Sequence, residues 1–272
     1  MDIKVEQGCP QCGAPVTLSE NDRLLTCAFC GVKNFLQVNG PFRYVLPNKL
    51  DETDQRHLIY APYIRLKSNL FHITEKGISY KVIDTTQLGF TIPGLPPSLG
   101  MRPQAMKIQR LTPQTPGQFL RLSIKAKAIL EKAVLLSKLS GKVGEHLLHR
   151  AYIGDTISLM YLPMVTDDYH LLDAVTQNIL VDLEKVEKKS LKGTGFNPRW
   201  QVNFLPTICP KCGWDLEGEK DSLVLICKNC HSAWHSKKNK LERLKFAYIP
   251  DTETTAPWLA ALKHSQQPAD NK

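Results

Sequence analysis

Nowhere does the chain run to about 18 consecutive apolar residues without a charge, so it holds no candidate transmembrane helix. Its opening residues, Met1-Asp2-Ile3-Lys4-Val5-Glu6, lack the apolar core of a secretory signal, and a reducing, cytoplasmic setting is expected. Enzyme signatures are missing as well. There is no Gly-x-Ser-x-Gly elbow, no Gly-x4-Gly-Lys phosphate loop, no His-Glu-x-x-His and no Gly-x-Gly-x-x-Gly. No cysteine is left over once the metal pairs described below are formed, which removes the free catalytic thiol. An enzyme, and with it a small-molecule substrate, is not expected. The composition is that of a globular protein, with 42% hydrophobic and 22% charged residues in 272, which excludes wholesale disorder. At roughly 150 residues per domain the length suggests about two domains.

Acidic residues are scarce in one region. Between 101 and 150, Arg102, Lys107, Arg110, Arg121, Lys125, Lys127, Lys132, Lys138, Lys142 and Arg150 face only Glu131 and Glu145. A second basic group, Lys237, Lys238, Lys240, Arg243 and Lys245, is opposed by Glu242. Such clusters are either solvated faces or a footprint for phosphate. On the second reading Arg121, Lys125, Lys127, Lys132, Lys237, Lys238 and Lys240 are the candidate nucleic-acid contacts. The formal charge is +9. Eight thiolates on two divalent ions would subtract a net four and leave +5.

The cysteines fall in four pairs: Cys9/Cys12, Cys27/Cys30, Cys209/Cys212 and Cys227/Cys230. In a reducing compartment this spacing reads as metal ligation rather than disulfides. A two-residue gap lets one tight turn aim both sulfurs at one ion. Pro10 and Pro210 stiffen the first turn of each set, and Gly13 and Gly213 can take the positive φ that leads the chain away. The two sets are the same pattern repeated 200 positions apart, Cys-Pro-x-Cys-Gly followed after fourteen residues by Cys-x2-Cys. Each is expected to form a β-hairpin between two metal-binding turns, with the polar turns Glu20-Asn21-Asp22 and Glu219-Lys220-Asp221 at the tips. Four thiolates suit zinc in a closed, structural site, with iron as the alternative ion in a rubredoxin-like cage. His231 and His235 are not needed as ligands. Trp214 and Trp234 are expected to pack the ribbon cores, and Asp51-Glu52 and Asp167-Asp168 to be turn acids.

Between the sets, residues 57–66, 71–74, 78–84, 88–92 and 157–165 are predicted strands. The proline-rich stretch 93–117 is predicted to be an irregular loop, 124–139 to be the main helix, and 178–192 a short exposed helix. A weaker repeat relates Leu58-Ile59-Tyr60-Ala61-Pro62-Tyr63 to Leu159-Met160-Tyr161-Leu162-Pro163-Met164, with a vestige at Ala256-Pro257-Trp258. It implies two related β units, each with a proline near a strand edge.

The two Cys-Pro-x-Cys-Gly hairpins resemble the zinc-ribbon superfamily. Residues 99–107, 204–216 and 222–227 are similar to an uncharacterised group of bacterial proteins with two such ribbons. The resemblance implies the architecture and the metal, and donates no catalytic residue. The expected fold is α+β, mainly β: an N-terminal zinc ribbon over 1–40, a β-rich middle domain with one main helix over 41–205, a C-terminal ribbon over 206–250 and a tail over 251–272. The expected role is a non-enzymatic protein-interaction scaffold holding two zinc ions, with another protein as partner. The alternatives are nucleic-acid binding through 101–150 and 237–245, and electron transfer by iron. Adjacent termini of the middle domain would set the two ribbons side by side.

Overall fold

The computed structural model describes residues 3–50, 57–125, 127–129, 131 and 146–247. Alternating apolar and polar residues give strands along most of this length. In chain order they are β1 (Lys4–Gly8), β2 (Pro15–Ser19), β3 (Leu24–Thr26), β4 (Lys33–Gln37), β5 (Phe42–Val45), β6 (Ile59–Thr74) and β7 (Gly77–Leu88). After a short helix α1 (Arg102–Ala105) come β8 (Lys107–Arg110), β9 (Gln118–Phe119), β10 (Leu147–Thr166), β11 (His170–Asp173) and β12 (Ile179–Asp182). The C-terminal part holds β13 (Asn203–Pro206), β14 (Val224–Cys227), β15 (Ser232–Lys237) and β16 (Lys240–Leu244). The molecule is mostly sheet, with a four-cysteine cluster near each end of a β-rich middle.

Several expectations for the middle are corrected. The first three expected strands over 57–84 are two long ones, because the polar run Lys67-Ser68-Asn69 stays in register with β7 on one side and, across a bulge between Gly154 and Thr156, stays paired with β10 on the other; residues 89–92 are not strand. The stretch 93–117 is irregular only in part. It contains α1, with proline tolerated in its first turn, and β8, which lies between β1 and β5. Residues 178–192 form β12 and two 3-10 turns, Leu183–Lys185 and Lys188–Leu191, since pairing of Val181 with Leu171 overrides the helical charge pattern. Of the expected main helix over 124–139, Ile124 and Lys125 are described and not helical, 127–129 and 131 are helical, and the remainder, with Lys132, lies outside the described residues. So do Asp51-Glu52, the Ala256-Pro257-Trp258 element and the tail.

The weaker repeat has a structural counterpart. β6 and β10 pair antiparallel so that Tyr60 is opposite Pro163 and Pro62 opposite Tyr161. The relation extends outward. β9 runs parallel to β6 beside Tyr60, and β5 runs parallel to β10 beside Tyr161. The N–H of Leu120 donates to Tyr60 O and that of Leu46 to Tyr161 O, at 3.0 and 3.1 Å. Each repeat is a short strand, a long strand and a return strand, and each short strand pairs with the long strand of the other repeat. The prolines occupy equivalent gaps in the centre of the sheet rather than its rim. Pro62 lies where β6 changes neighbour from β9 to β7, and Pro163 where β10 changes from β5 to β11. Their carbonyls accept from Gly89 and Ala174, and the ring nitrogens on the same side face positions where no ladder bond is required.

Among the described residues the main sheet has ten strands, in the order β12-β11-β10-β5-β8-β1-β2, with β6 beyond β10 carrying β7 and β9. One face buries Val5, Leu18, Tyr44, Tyr63, Ile108, Met160 and Leu162 under Leu25, Cys27 and Leu36 of the N-terminal ribbon. The other buries Leu58, Tyr60, Ile64, Phe119, Leu159, Tyr161 and Trp200, with Phe119 stacked on Tyr60 at 4.7 Å. Each such side chain contributes about 1.5–3 kcal/mol on leaving water. Since β1 and β2 belong to this sheet, it runs through the expected border at residue 40.

The expected hairpin of the N-terminal ribbon is not seen among the described residues, because β2 pairs with β1 and β3 with β4; the polar turn Glu20-Asn21-Asp22 that joins β2 to β3 is buried at Glu20 and Asp22, not solvated. Glu20 (3% exposed) accepts two bonds from the guanidinium of Arg65 (1% exposed), at 2.7 and 2.8 Å. Arg65 also pairs with Asp84 of β7, and the Tyr44 hydroxyl donates to Glu20 O at 2.9 Å. A carboxylate and a guanidinium taken out of water hold only if both are matched, and the fork supplies that match. Replacing Arg65 with Met strands the Glu20 charge. It is expected to cost about 3–5 kcal/mol in a urea unfolding curve. Removing Lys107, whose exposed pair with Glu6 spans 3.1 Å, should cost about 1 kcal/mol or less.

Candidate metal centres

Each cage is built by two matching turns. The N–H of Cys9 donates to Ala14 O at 2.9 Å and that of Gly13 to Cys9 O at 2.9 Å. The equivalent bonds, Cys209 to Trp214 O and Gly213 to Cys209 O, measure 2.7 and 2.8 Å. Gly13 and Gly213 adopt φ of 75° and 74°, the left-handed conformation the spacing called for. The second turn of the N-terminal ribbon ends on Gly31 at φ 71°, whereas the C-terminal ribbon places His231 there at φ 51°. The conformation is kept although the glycine is not.

These turns bring Cys9, Cys12, Cys27 and Cys30 together at one end of the chain and Cys209, Cys212, Cys227 and Cys230 at the other, all sulfurs of a set within 4.8 Å. Measured edges are 3.7 Å for Cys9–Cys30, 3.6 Å for Cys12–Cys27, 3.6 Å for Cys209–Cys230 and 3.4 Å for Cys212–Cys227. A tetrahedral ion with metal–sulfur bonds of about 2.3 Å needs edges of about 3.8 Å, so both donor sets fit such an ion. None of the eight cysteines is in a disulfide. Among the described residues neither His231 nor His235 belongs to a cluster.

Backbone dipoles favour thiolate in both sets. The N–H of Cys30 leads in holding Cys27 at about 6. At Cys209 burial opposes ionisation, and the N–H groups of Lys211 and Cys212 outweigh it, leaving the thiol at about 6. Cys12 moves the other way. Although the N–H of Ala14 pulls it down, desolvation and the neighbouring sulfurs push it to about 12. Sulfurs this close cannot all ionise on their own, and a divalent cation held there would supply the compensating charge.

Sequence reasoning missed a supporting residue. The fully buried Ser232 lies with its hydroxyl 3.0 Å from Cys230 Sγ, and it accepts the indole N–H of Trp234 at 2.8 Å. Its O–H is thereby free to donate to sulfur. The signal was the Cys-x-Ser-x-Trp spacing, in which a small hydroxyl alternates with the core tryptophan. Trp234 is buried as expected, but Trp214 is 59% exposed, because the positive φ of Gly213 turns it outward.

The ribbons are coupled. Phe35 of β4 lies in one apolar cluster with Leu216, Leu225 and Trp234 of the C-terminal ribbon. β13 pairs with β4, and the N–H of Leu24 donates to Lys220 O at 2.8 Å. The two tips and the two cores thus meet side by side.

The candidate nucleic-acid residues are dispersed. Arg121 follows β9, and Lys125 and Lys127 sit exposed at the start of the helical residues. Lys237, Lys238 and Lys240 surround the β15–β16 turn, where Lys237 pairs with Glu242 at 3.2 Å. Two members of the basic stretch are withdrawn from solvent chemistry. Arg102 pairs with the buried Asp173, and Arg110 lies over the rings of Phe42 and Tyr44, 4% exposed.

Comparison with known protein families, with curated proteins and with solved structures finds no match. The two four-cysteine clusters fit zinc-ribbon-like sites, each able to hold a metal ion, on a largely β scaffold. Among the described residues no helix is long and apolar enough to cross a membrane.

Because the cores are shared, Cys209→Ser is not expected to spare the N-terminal ribbon. Native mass spectrometry should show one metal ion in place of two, and amide exchange at Arg23 and Leu24, whose N–H groups reach the C-terminal tip, should accelerate. Ser232→Ala should weaken metal at the C-terminal cage alone, by about 10–100-fold in a chelator competition, as loss of an outer-shell partner does.

Proposed function

We propose that the chain is a zinc-binding, non-enzymatic scaffold that docks on another protein through its paired ribbons. The observation that carries this reading is the contrast between sealed cages and their apolar surroundings. Four thiolates fill each tetrahedral shell and leave no position for water or substrate, which suits a structural ion. Around them large apolar side chains stand in solvent. Phe29, between Cys27 and Cys30, is 75% exposed, and Ile208, Trp214 and Leu223 of the C-terminal ribbon are also exposed. Exposed aromatic residues held on a rigid turn are the usual anchors of protein interfaces.

The all-thiolate donor set favours zinc over harder cations, and the same geometry accommodates iron. Protein from its native source should be colourless with two zinc ions per chain; a red, iron-loaded protein would replace the scaffold with electron transfer. A tagged wild-type chain should capture a stoichiometric protein partner from native lysate. The double variant Phe29→Ala, Trp214→Ala should lose it by tenfold or more while keeping both metal ions, at about 1–2 kcal/mol per anchor. Capture of nucleic acid instead, with affinity falling steeply as salt rises, would favour the lysines around the β15–β16 turn.

A further inference from the structure

A cavity of about 710 Å³ opens on the sheet face opposite the N-terminal ribbon, beside Phe119 of β9 and Leu159 and Tyr161 of β10. Its lining is mixed: Phe119, Tyr161, Phe196 and four leucines form the apolar part, Thr194 and Asn197 add polar groups, and its charged groups are Arg43 and Arg121. The aromatic wall is built rather than incidental. Phe119 is fixed between a stacked Tyr60 and an edge-on Tyr161, at 4.7 and 5.2 Å. Thr194 locks the facing loop by exchanging both backbone hydrogen bonds with Phe119, at 2.8 and 3.0 Å.

The two arginines are unlike Arg65 and Arg102, each of which is matched to a carboxylate. Among the described residues no carboxylate pairs with Arg43 or Arg121. Arg43 leaves β5 next to Leu159, and its guanidinium lies 5.0 Å over the ring of Trp200. That ring is itself held by its N–H bond to Pro41 O at 3.0 Å. The guanidinium also hydrogen-bonds the Tyr161 hydroxyl, while its Nε is buried and has no hydrogen-bond partner. A partly buried cation with an unsatisfied N–H is costly unless something completes it, and the forked geometry of guanidinium matches an oxyanion.

We propose that this cavity binds a small organic oxyanion with an apolar or aromatic body, a carboxylate or a phosphate monoester, with Arg43 and Arg121 on the anion and Phe119 against the body. Arg121 then serves a ligand pocket rather than a nucleic-acid surface. The site is independent of both cages and of the ribbon surface.

Calorimetric titration of the full, metal-loaded chain with phenyl phosphate, benzoate and inorganic phosphate tests this. At least one of the first two should bind at millimolar concentration or below, and the better of them identifies the anion. Inorganic phosphate should bind at least tenfold more weakly, since it leaves the apolar walls unfilled. Arg43→Gln and Arg121→Gln should each weaken binding about tenfold or more, in keeping with loss of a charge-assisted hydrogen bond. Arg121 is exposed, so Arg121→Gln should keep the wild-type melting temperature and decides the matter if Arg43→Gln is unstable. Lys107→Gln should leave binding unchanged. No heat with either organic anion, equal binding of inorganic phosphate, or an unaffected Arg121→Gln would each overturn the proposal.

Discussion

The fork between Arg65 and Glu20 is the constraint around which the rest is arranged. It joins the tip of a small ribbon to the middle of a long central strand, 45 residues away in sequence, with both groups out of water. A charge pair of this kind is a poor source of net stability, but it is intolerant of misplacement. If the ribbon tip moves, two buried charges lose their partners together. The Tyr44 hydroxyl on the Glu20 carbonyl and Asp84 at the far side of the guanidinium fix the fork further. The N-terminal ribbon is therefore an integral layer over one face of the sheet.

The metal centres take their place within that arrangement. A four-thiolate cage has little apolar surface of its own, so an ion bound there would be linked to local folding. Here the two ribbons also lend surface to each other. Phe35 completes the core around Trp234, and β13 extends the strand pairing from β4 into the C-terminal ribbon. Stability at one cage is thus felt at the other, although each closes on its own four sulfurs.

The central sheet shows a second kind of economy. Two related segments are interleaved, each contributing a short strand to the long strand of the other. The tyrosine-proline pairs at their centre are where this exchange is possible. A proline has no N–H to satisfy, so it can stand in the gap at which one neighbouring strand stops and another begins. The equivalent gaps beside Phe119 and Val45 differ in their fillings. The Phe119 side opens into the cavity lined by Arg43 and Arg121, and the Val45 side into another of about 450 Å³ whose lining includes Arg110.

Much of the site was legible in the residues. Cysteine spacing fixed which eight sulfurs come together, and the glycine after each first pair forecast the left-handed turn, because these are local matters decided within a few bonds. The predominance of strand and the weak tyrosine-proline repeat were visible for the same reason. Glu20 was not legible as a buried group. In sequence it is one more polar residue in a turn, and only the arrival of Arg65 from a distant strand distinguishes it. Stretch 93–117 read as loop because proline suppresses local order, yet Ile108 and Arg110 alternate inward once β1 and β5 offer them two edges. Trp214 read as core and stands in solvent, since the orientation after Gly213 depends on the turn and on what the neighbouring ribbon already fills. The amino-acid pattern by itself determined the ligands, the turns and the β character, all set by short-range chemistry. Which polar groups are buried, how the ribbons share a core and where two arginines without a carboxylate partner meet an aromatic wall were decided by tertiary structure, because they depend on residues that only long-range packing brings together.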